Sequence, residues 1–201
     1  ANLETAIREA INKPKGTIYT FDLESLTVLI AWDKGISDLT GLEYCLELRW
    51  LELANNNIND ISPLAGLTDL YWLNFGGNNI SDISALAGLI DMEGLYLWGN
   101  SISDISPLVG LVDMFFLDLF DNNVSDISIL ANIGELHALD LGDNNISDIL
   151  PLLENSELGD VAGHGHSVAV NLNGNPLSPI SVDVYLPQLA ATGIQVIWLV
   201  E

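Results

Sequence analysis

Five stretches of this chain repeat one another at a fixed interval of 22 residues, and no other feature restricts the fold as much. Leu48 to Asn56 aligns with Leu70 to Asn78, Met92 to Asn100, Met114 to Asn122 and Leu136 to Asn144, each of the form LxxLxLxxN. A tail such as Ile80-Ser81-Asp82-Ile83-Ser84-Ala85-Leu86 follows each block. A degenerate copy, Leu26 to Ile36, precedes the run with Lys34 in the Asn position. Another, Val168 to Asn175, follows a nine-residue insertion, so seven turns are expected.

The pattern is a leucine-rich repeat, and it predicts an α/β solenoid with a parallel sheet. The LxL segment of each turn is expected to be a short strand with both apolar side chains inward, and the tail to bury its own apolar residues on the opposite wall. Leu73, Phe75, Ile80, Ile83 and Leu86 then stack on Leu95, Leu97, Ile102, Ile105 and Leu108 of the next turn. The column Asn56, Asn78, Asn100, Asn122, Asn144 and Asn175 stands where the chain leaves the strand, where an amide can satisfy buried backbone groups. The column Asp38, Asp60, Asp82, Asp104, Asp126 and Asp148 can cap short helical turns on the convex wall. Cys45 occupies a slot held by Leu67, Leu89, Leu111 and Ile133, so it reads as a core thiol.

A solenoid needs covers at its ends. Residues 1–25 read as an N-terminal cap, with Asn2 capping a helix from Leu3 to Ile11 whose apolar face is Leu3, Ile7, Ala10 and Ile11. Residues 26–177 hold the repeats. Residues 178–201 read as a C-terminal cap, with a helix from Ser181 to Ala191, a stop at Gly193 and a last strand from Ile194 to Val200. The whole is one domain. Ala1 follows neither an initiator Met nor a signal sequence, which reads as a processed or excised chain.

In its 22-residue period and in tails such as Ile102-Ser103-Asp104-Ile105-Ser106-Pro107-Leu108, the chain resembles the internalin-like family of bacterial and archaeal leucine-rich repeat proteins. The opening Leu3-Glu4-Thr5-Ala6-Ile7-Arg8-Glu9-Ala10 and the closing Asn175-Pro176-Leu177 are similar to caps of secreted members. The resemblance implies a right-handed horseshoe with strands on the concave face and a 3-10 or irregular convex side. It also implies an extracellular or cell-surface setting and protein binding rather than catalysis. Lys34 and the insertion near Asn155 to Ser167 depart from the pattern.

Charge narrows the partner. Twenty-eight carboxylates face five cations, for a net charge of −23, and no Lys or Arg follows Arg49. A nucleic-acid backbone needs a basic stripe that this chain cannot build, and no apolar run is long enough to span a membrane. The second, third, fifth, seventh and eighth positions of each block are expected on the concave side. Nine of the fifteen aromatic residues fall there: Trp32, Trp50, Tyr71, Trp72, Tyr96, Trp98, Phe115, Phe116 and Phe120. Aromatic residues on neighbouring strands form the kind of apolar patch that marks a binding site. The candidate surface comprises all of these but Trp32, together with Arg49, Glu52, Asn74, Asp118, His137 and Asp140. Glu52, Glu93, Asp118, Asp121, Asp140 and Asp143 make an acidic rim. They suit a protein ligand with apolar and basic surface, and equally they keep an apolar solenoid in solution. Stacked aromatics also suit a glycan, and self-association would cover the same face.

Other chemistry is sparse. Asp118, Asp121, Asp140 and Asp143 could approach a calcium ion but carry no calcium-loop motif. His164 and His166, with His137 on the adjacent turn, are weak zinc candidates. Asn79, Asn123 and Asn145 begin N-x-S sequons that follow from the repeat itself. No nucleotide loop, metalloprotease helix or nucleophile triad is present, so neither an enzyme nor a cofactor is expected.

Overall fold

The computed structural model describes residues 2–134, 136–158 and 168–199. Eight strands of three residues each form one parallel sheet in sequence order: β1 (Val28–Ile30), β2 (Trp50–Glu52), β3 (Trp72–Asn74), β4 (Gly94–Tyr96), β5 (Phe116–Asp118), β6 (Ala138–Asp140), β7 (Ala169–Asn171) and β8 (Gln195–Ile197). Each pairs in register with the next, Trp50 with Trp72 and Leu51 with Leu73 for example. This is the expected leucine-rich repeat solenoid. The strand, however, occupies the third to fifth positions of each block. Only the central residue of each strand points inward, and the second apolar residue follows it. Phe75 still continues the ladder, its N–H donating to Tyr96 O at 2.8 Å.

The interior is one apolar column. The central strand residues and the tail residues Ile80, Ile83, Leu86, Ile102, Ile105 and Leu108 are buried together. Truncating one such leucine to alanine costs about 2–5 kcal/mol. Cys45 lies in this column with its thiol pushed up to about 11, chiefly by burial and then by Glu43. Such a group is a packing element and not a nucleophile.

The asparagine column sews the turns together. Asn78 accepts from Ile58 N at 3.0 Å and donates to Phe75 O of its own turn at 2.9 Å and to Leu53 O of the preceding one at 3.0 Å. Asn56, Asn100, Asn122, Asn144 and Asn175 repeat the arrangement. Lys34 can stand in this column because among the described residues no strand precedes β1 to need an amide there. Its own N–H is satisfied by Asn56 Oδ1 at 3.0 Å. On the convex wall the aspartates behave as expected. Asp60, Asp82, Asp104 and Asp126 accept from the backbone N–H of Ser62, Ser84, Ser106 and Ser128, where the short 3-10 turns Ser62–Leu64, Ser84–Leu86, Ser106–Gly110 and Ser128–Asn132 begin. Hydrogen bonds from these serines hold the four carboxyls below their ordinary range, the backbone N–H leading for Asp60, Asp82 and Asp126 and the Ser106 side chain leading for Asp104.

Both caps differ in detail from expectation. Helix α1 (Asn2–Ala10) buries Leu3, Ala6 and Ile7, while Ala10 is exposed and Ile11 only half-buried. The Asn2 amide donates to Lys34 O and Gly35 O, each at 2.9 Å, and so fastens α1 to the first turn. A second short helix, α2 (Thr20–Leu23), follows it, and a third, α3 (Leu150–Glu154), lies on the convex side of the sixth turn. At the other end a π-helical turn (Ser181–Tyr185) leads into α4 (Leu186–Ala191). Pro187 has no N–H and its ring crowds the carbonyl four residues back, so the widened turn accommodates it. The chain leaves α4 at Gly193, φ +92°, a left-handed stop of the expected kind.

Candidate functional site

The outward slots of the strands form two rows. One row reads Val28, Trp50, Trp72, Gly94, Phe116, Ala138 and Ala169. The other reads Ile30, Glu52, Asn74, Tyr96, Asp118, Asp140 and Asn171. Because the register never slips, chemistry on this face depends on what each turn places in the same slot.

The rows bring most of the predicted aromatics into contact. Trp50 and Trp72 stack, ring centroids 4.5 Å apart and planes 12° from parallel. Trp72 continues to Tyr96 at 5.2 Å and meets Phe116 edge-on at 6.0 Å. Tyr71 packs edge-on against Trp50 at 6.2 Å, and Phe115 stacks on His137 at 5.1 Å. Such pairs are worth about 0.5–1.5 kcal/mol beyond burial. All of these rings are half-buried, so the surface is a consolidated ridge and not a set of separate exposed rings.

Two features absent from the sequence reading build that ridge. Glu52, expected on the rim, bridges the Nε1–H groups of the two stacked indoles. Its Oε1 accepts from Trp50 Nε1 at 3.0 Å and from Trp72 Nε1 at 3.2 Å, one carboxylate orienting both rings. Gly94 makes the space for Trp72, since a Cβ there would stand 2.5 Å from the indole. Gly76 does the same for Trp98, whose ring covers the backbone of the preceding turn. The signal was a glycine one turn after a tryptophan in the same slot for Gly94, and one turn before it for Gly76.

The ridge also extends further than expected. Val28 and Ile30 on the first turn are 48 and 57% exposed and pair with Trp50 and Glu52 across the sheet, and Trp32, two residues beyond β1, is 59% exposed. For Val28 and Ile30 the sequence signal was their position 22 residues before Trp50 and Glu52.

Several predicted polar residues have structural duties. Asn74, Asp118 and Asp140 each turn one oxygen back to the N–H two residues on, those of Gly76, Phe120 and Gly142 at 3.1, 3.0 and 2.9 Å. Asp121 and Asp143 adopt φ of +54° and +49°, a left-handed position shared with Asn55, Gly77, Gly99 and Gly174. That slot favours Gly, Asn and Asp for backbone reasons, so their recurrence there is a turn requirement and not a binding pattern. Phe120 is half-buried two residues beyond the end of β5. Arg49 is exposed at the strand entrance and approaches Asp69 at 3.9 Å. It borders a groove of about 550 Å³ with Tyr71, Glu93 and Phe115.

Among the described residues no group of three or more His, Cys, Asp or Glu side chains is arranged to hold a metal ion. Asp118, Asp121, Asp140 and Asp143, which could have approached a calcium ion, do not form such a group. His164 and His166 lie outside the described residues. No helix among the described residues is long and apolar enough to cross a membrane.

The geometry matches known proteins. Internalin C2 of Listeria monocytogenes is 30% identical over 98% of this chain and 92% of its own, with a TM-score of 0.70. The chain belongs to the internalin-like leucine-rich repeat family. A family model described as leucine-rich repeats in two copies matches residues 46–88. A second Listeria internalin, inlF, is 28% identical over 94% of this chain, with a TM-score of 0.70, and the chain spans 60% of its length. A leucine-rich repeat protein of Leptospira interrogans shares the fold at 19% identity and a TM-score of 0.72, over 90% of this chain and 51% of that one. No protein of curated function matches the chain. Leucine-rich repeat domains generally mediate protein recognition, and internalin-like domains are generally non-enzymatic.

Proposed function

We propose that this internalin-like domain is a non-catalytic recognition module that binds a protein through the concave ridge, in an extracellular or cell-surface setting. The observation that carries the reading is the Trp50–Trp72 stack held by Glu52. Two indoles fixed in one orientation have already lost their rotamer freedom, so a partner that covers them spends less in ordering. Tryptophan and tyrosine are also the residues that most often dominate protein interfaces. Protein is favoured over glycan because sugar rings pack on free aromatic faces, and here the facing indole surfaces are spent on each other.

Site-resolved crosslinking tests this. A photoreactive residue replacing Asn74, in the ridge, should trap a protein partner, whereas the same residue replacing Ser84 on the convex wall should not. Trp72→Ala should weaken the trapped interaction by more than about 1 kcal/mol. Adducts from the convex position alone, or full affinity in Trp72→Ala, would overturn the reading. Adducts between two copies of the chain would instead identify self-association.

A further inference from the structure

Past the ridge the same slots build a hollow. The row that held Trp50, Trp72 and Phe116 drops to Ala138 and Ala169, and the two alanines floor a depression of about 240 Å³. The Phe116 and Tyr96 rings stand on one side of it, and Asp118 and Asp140, facing each other across β5 and β6, supply two carboxylates. One oxygen of each is committed to the backbone, that of Asp140 also to Asn171 Nδ2 at 2.9 Å, and the second oxygen of each accepts no hydrogen bond among the described residues. Burial and the neighbouring Asp140 both raise the carboxyl of Asp118 against a backbone bond that lowers it, so the paired negative charge here is poorly solvated. Like charges directly opposite on adjacent strands destabilise a sheet. The chain holds no Lys or Arg after Arg49, so no permanently charged cation from this half of the molecule relieves the pair.

We propose that the hollow seats an arginine side chain of the protein partner. The aliphatic stem lies over Ala138 and Ala169, the guanidinium plane faces Phe116, and its N–H groups donate to the free oxygens of Asp118 and Asp140. The fit follows from the chemistry of that side chain: a flat cation, weakly hydrated for its charge, that stacks on aromatic rings and spreads several donors over carboxylates. An ammonium group is a strongly hydrated point charge with no face to lay on Phe116. This assignment deepens the concave reading and rests on it.

The test uses the intact chain and no natural partner. Isotope-labelled protein is titrated with Nα-acetyl-arginine methylamide and followed by the NMR signals of the Ala138 and Ala169 methyls, with the citrulline and lysine analogues as comparisons. The expected result is saturable shifts at both methyls with arginine, weaker shifts with lysine, and none with citrulline, which has the same shape without the charge. Asp118→Asn and Asp140→Asn should each weaken arginine binding about tenfold, the loss of one charge-assisted contact. Both variants should fold, because Asn74 and Asn171 occupy the same slot and make the same bond to the backbone. Ala138→Phe, which fills the hollow, should abolish the shifts.

Unmoved methyls, equal response to citrulline or to lysine, or shifts gathered instead in the groove beside Asp69 and Glu93 would each overturn the assignment. The probe does not depend on Trp50 or Trp72. A hollow that ignores arginine while Trp72→Ala still weakens the partner removes this proposal alone. Failure of Trp72→Ala to weaken the partner removes the concave reading.

Discussion

The two halves of the concave sheet have the same backbone and opposite relief. On β2 and β3 the first outward slot carries Trp50 and Trp72, and a ridge results. On β6 and β7 it carries Ala138 and Ala169, and the surface falls away. The strands are equally short and equally in register, and the asparagines beneath them make the same bonds. Relief here is therefore a property of side chains in fixed slots. A solenoid of this kind can change its binding surface turn by turn without disturbing its frame, because each turn contacts only its neighbours.

The comparison breaks most completely if the shared frame is removed. Asn100→Ala leaves buried backbone groups of Phe75, Ile80 and Leu97 without their partner. The expected cost is about 3 kcal/mol, from the penalty for each orphaned group, and urea unfolding would measure it. Loss of under about 1 kcal/mol would show that the column is dispensable.

Next in size is the glycine that lets the ridge form. Gly94→Ala pushes a methyl into the Trp72 indole, and relieving that overlap should cost about 1–3 kcal/mol. The coupled near-ultraviolet circular dichroism of Trp50 and Trp72 should fall at the same time. An unchanged spectrum would mean that the stack does not depend on Gly94.

The smallest effect concerns charge in the hollow. Burial raises the folded-state carboxyl of Asp118 above its unfolded value. Its contribution to stability is thus fully present below the unfolded value and lost as the pH rises through the folded one. Asp118→Asn removes that loss, so the variant should gain on the parent as pH rises from 3 to 7. The lowered aspartates of the convex wall act in the opposite sense, favouring the fold above the carboxylate range. They are present in both proteins and cancel. A difference that shrinks as the pH rises would contradict the burial of Asp118.

Much of this was legible in advance because a repeat is a strong measurement of itself. The seven turns, the buried leucines, the asparagine ladder and the aspartate caps follow from a spacing that only stacked turns can satisfy. The caps were harder. A single helix has no second copy against which to check its face, so Ala6 was passed over in favour of Ala10. In the candidate site the aromatic column was visible as an excess at five positions, yet its organisation was not. Nothing local shows that Glu52 accepts from two indoles, one of them 20 residues away. The same blindness made Asp121 and Asp143 look like ligands, when their backbone conformation explains their identity.

What the sequence alone determined, then, is the frame: its period, its parallel order and which residues face inward, since one register buries the leucine at the centre of each repeat strand and a shift of one residue would expose them all. What only the tertiary structure decided is the surface between turns. Ridge and hollow arise from contacts across neighbouring strands, 22 or 31 residues apart in the chain, where a ring lies on the glycine of an adjacent turn or a carboxylate faces another. Those depend on rotamers and on the space a neighbour leaves, and no residue carries that information by itself.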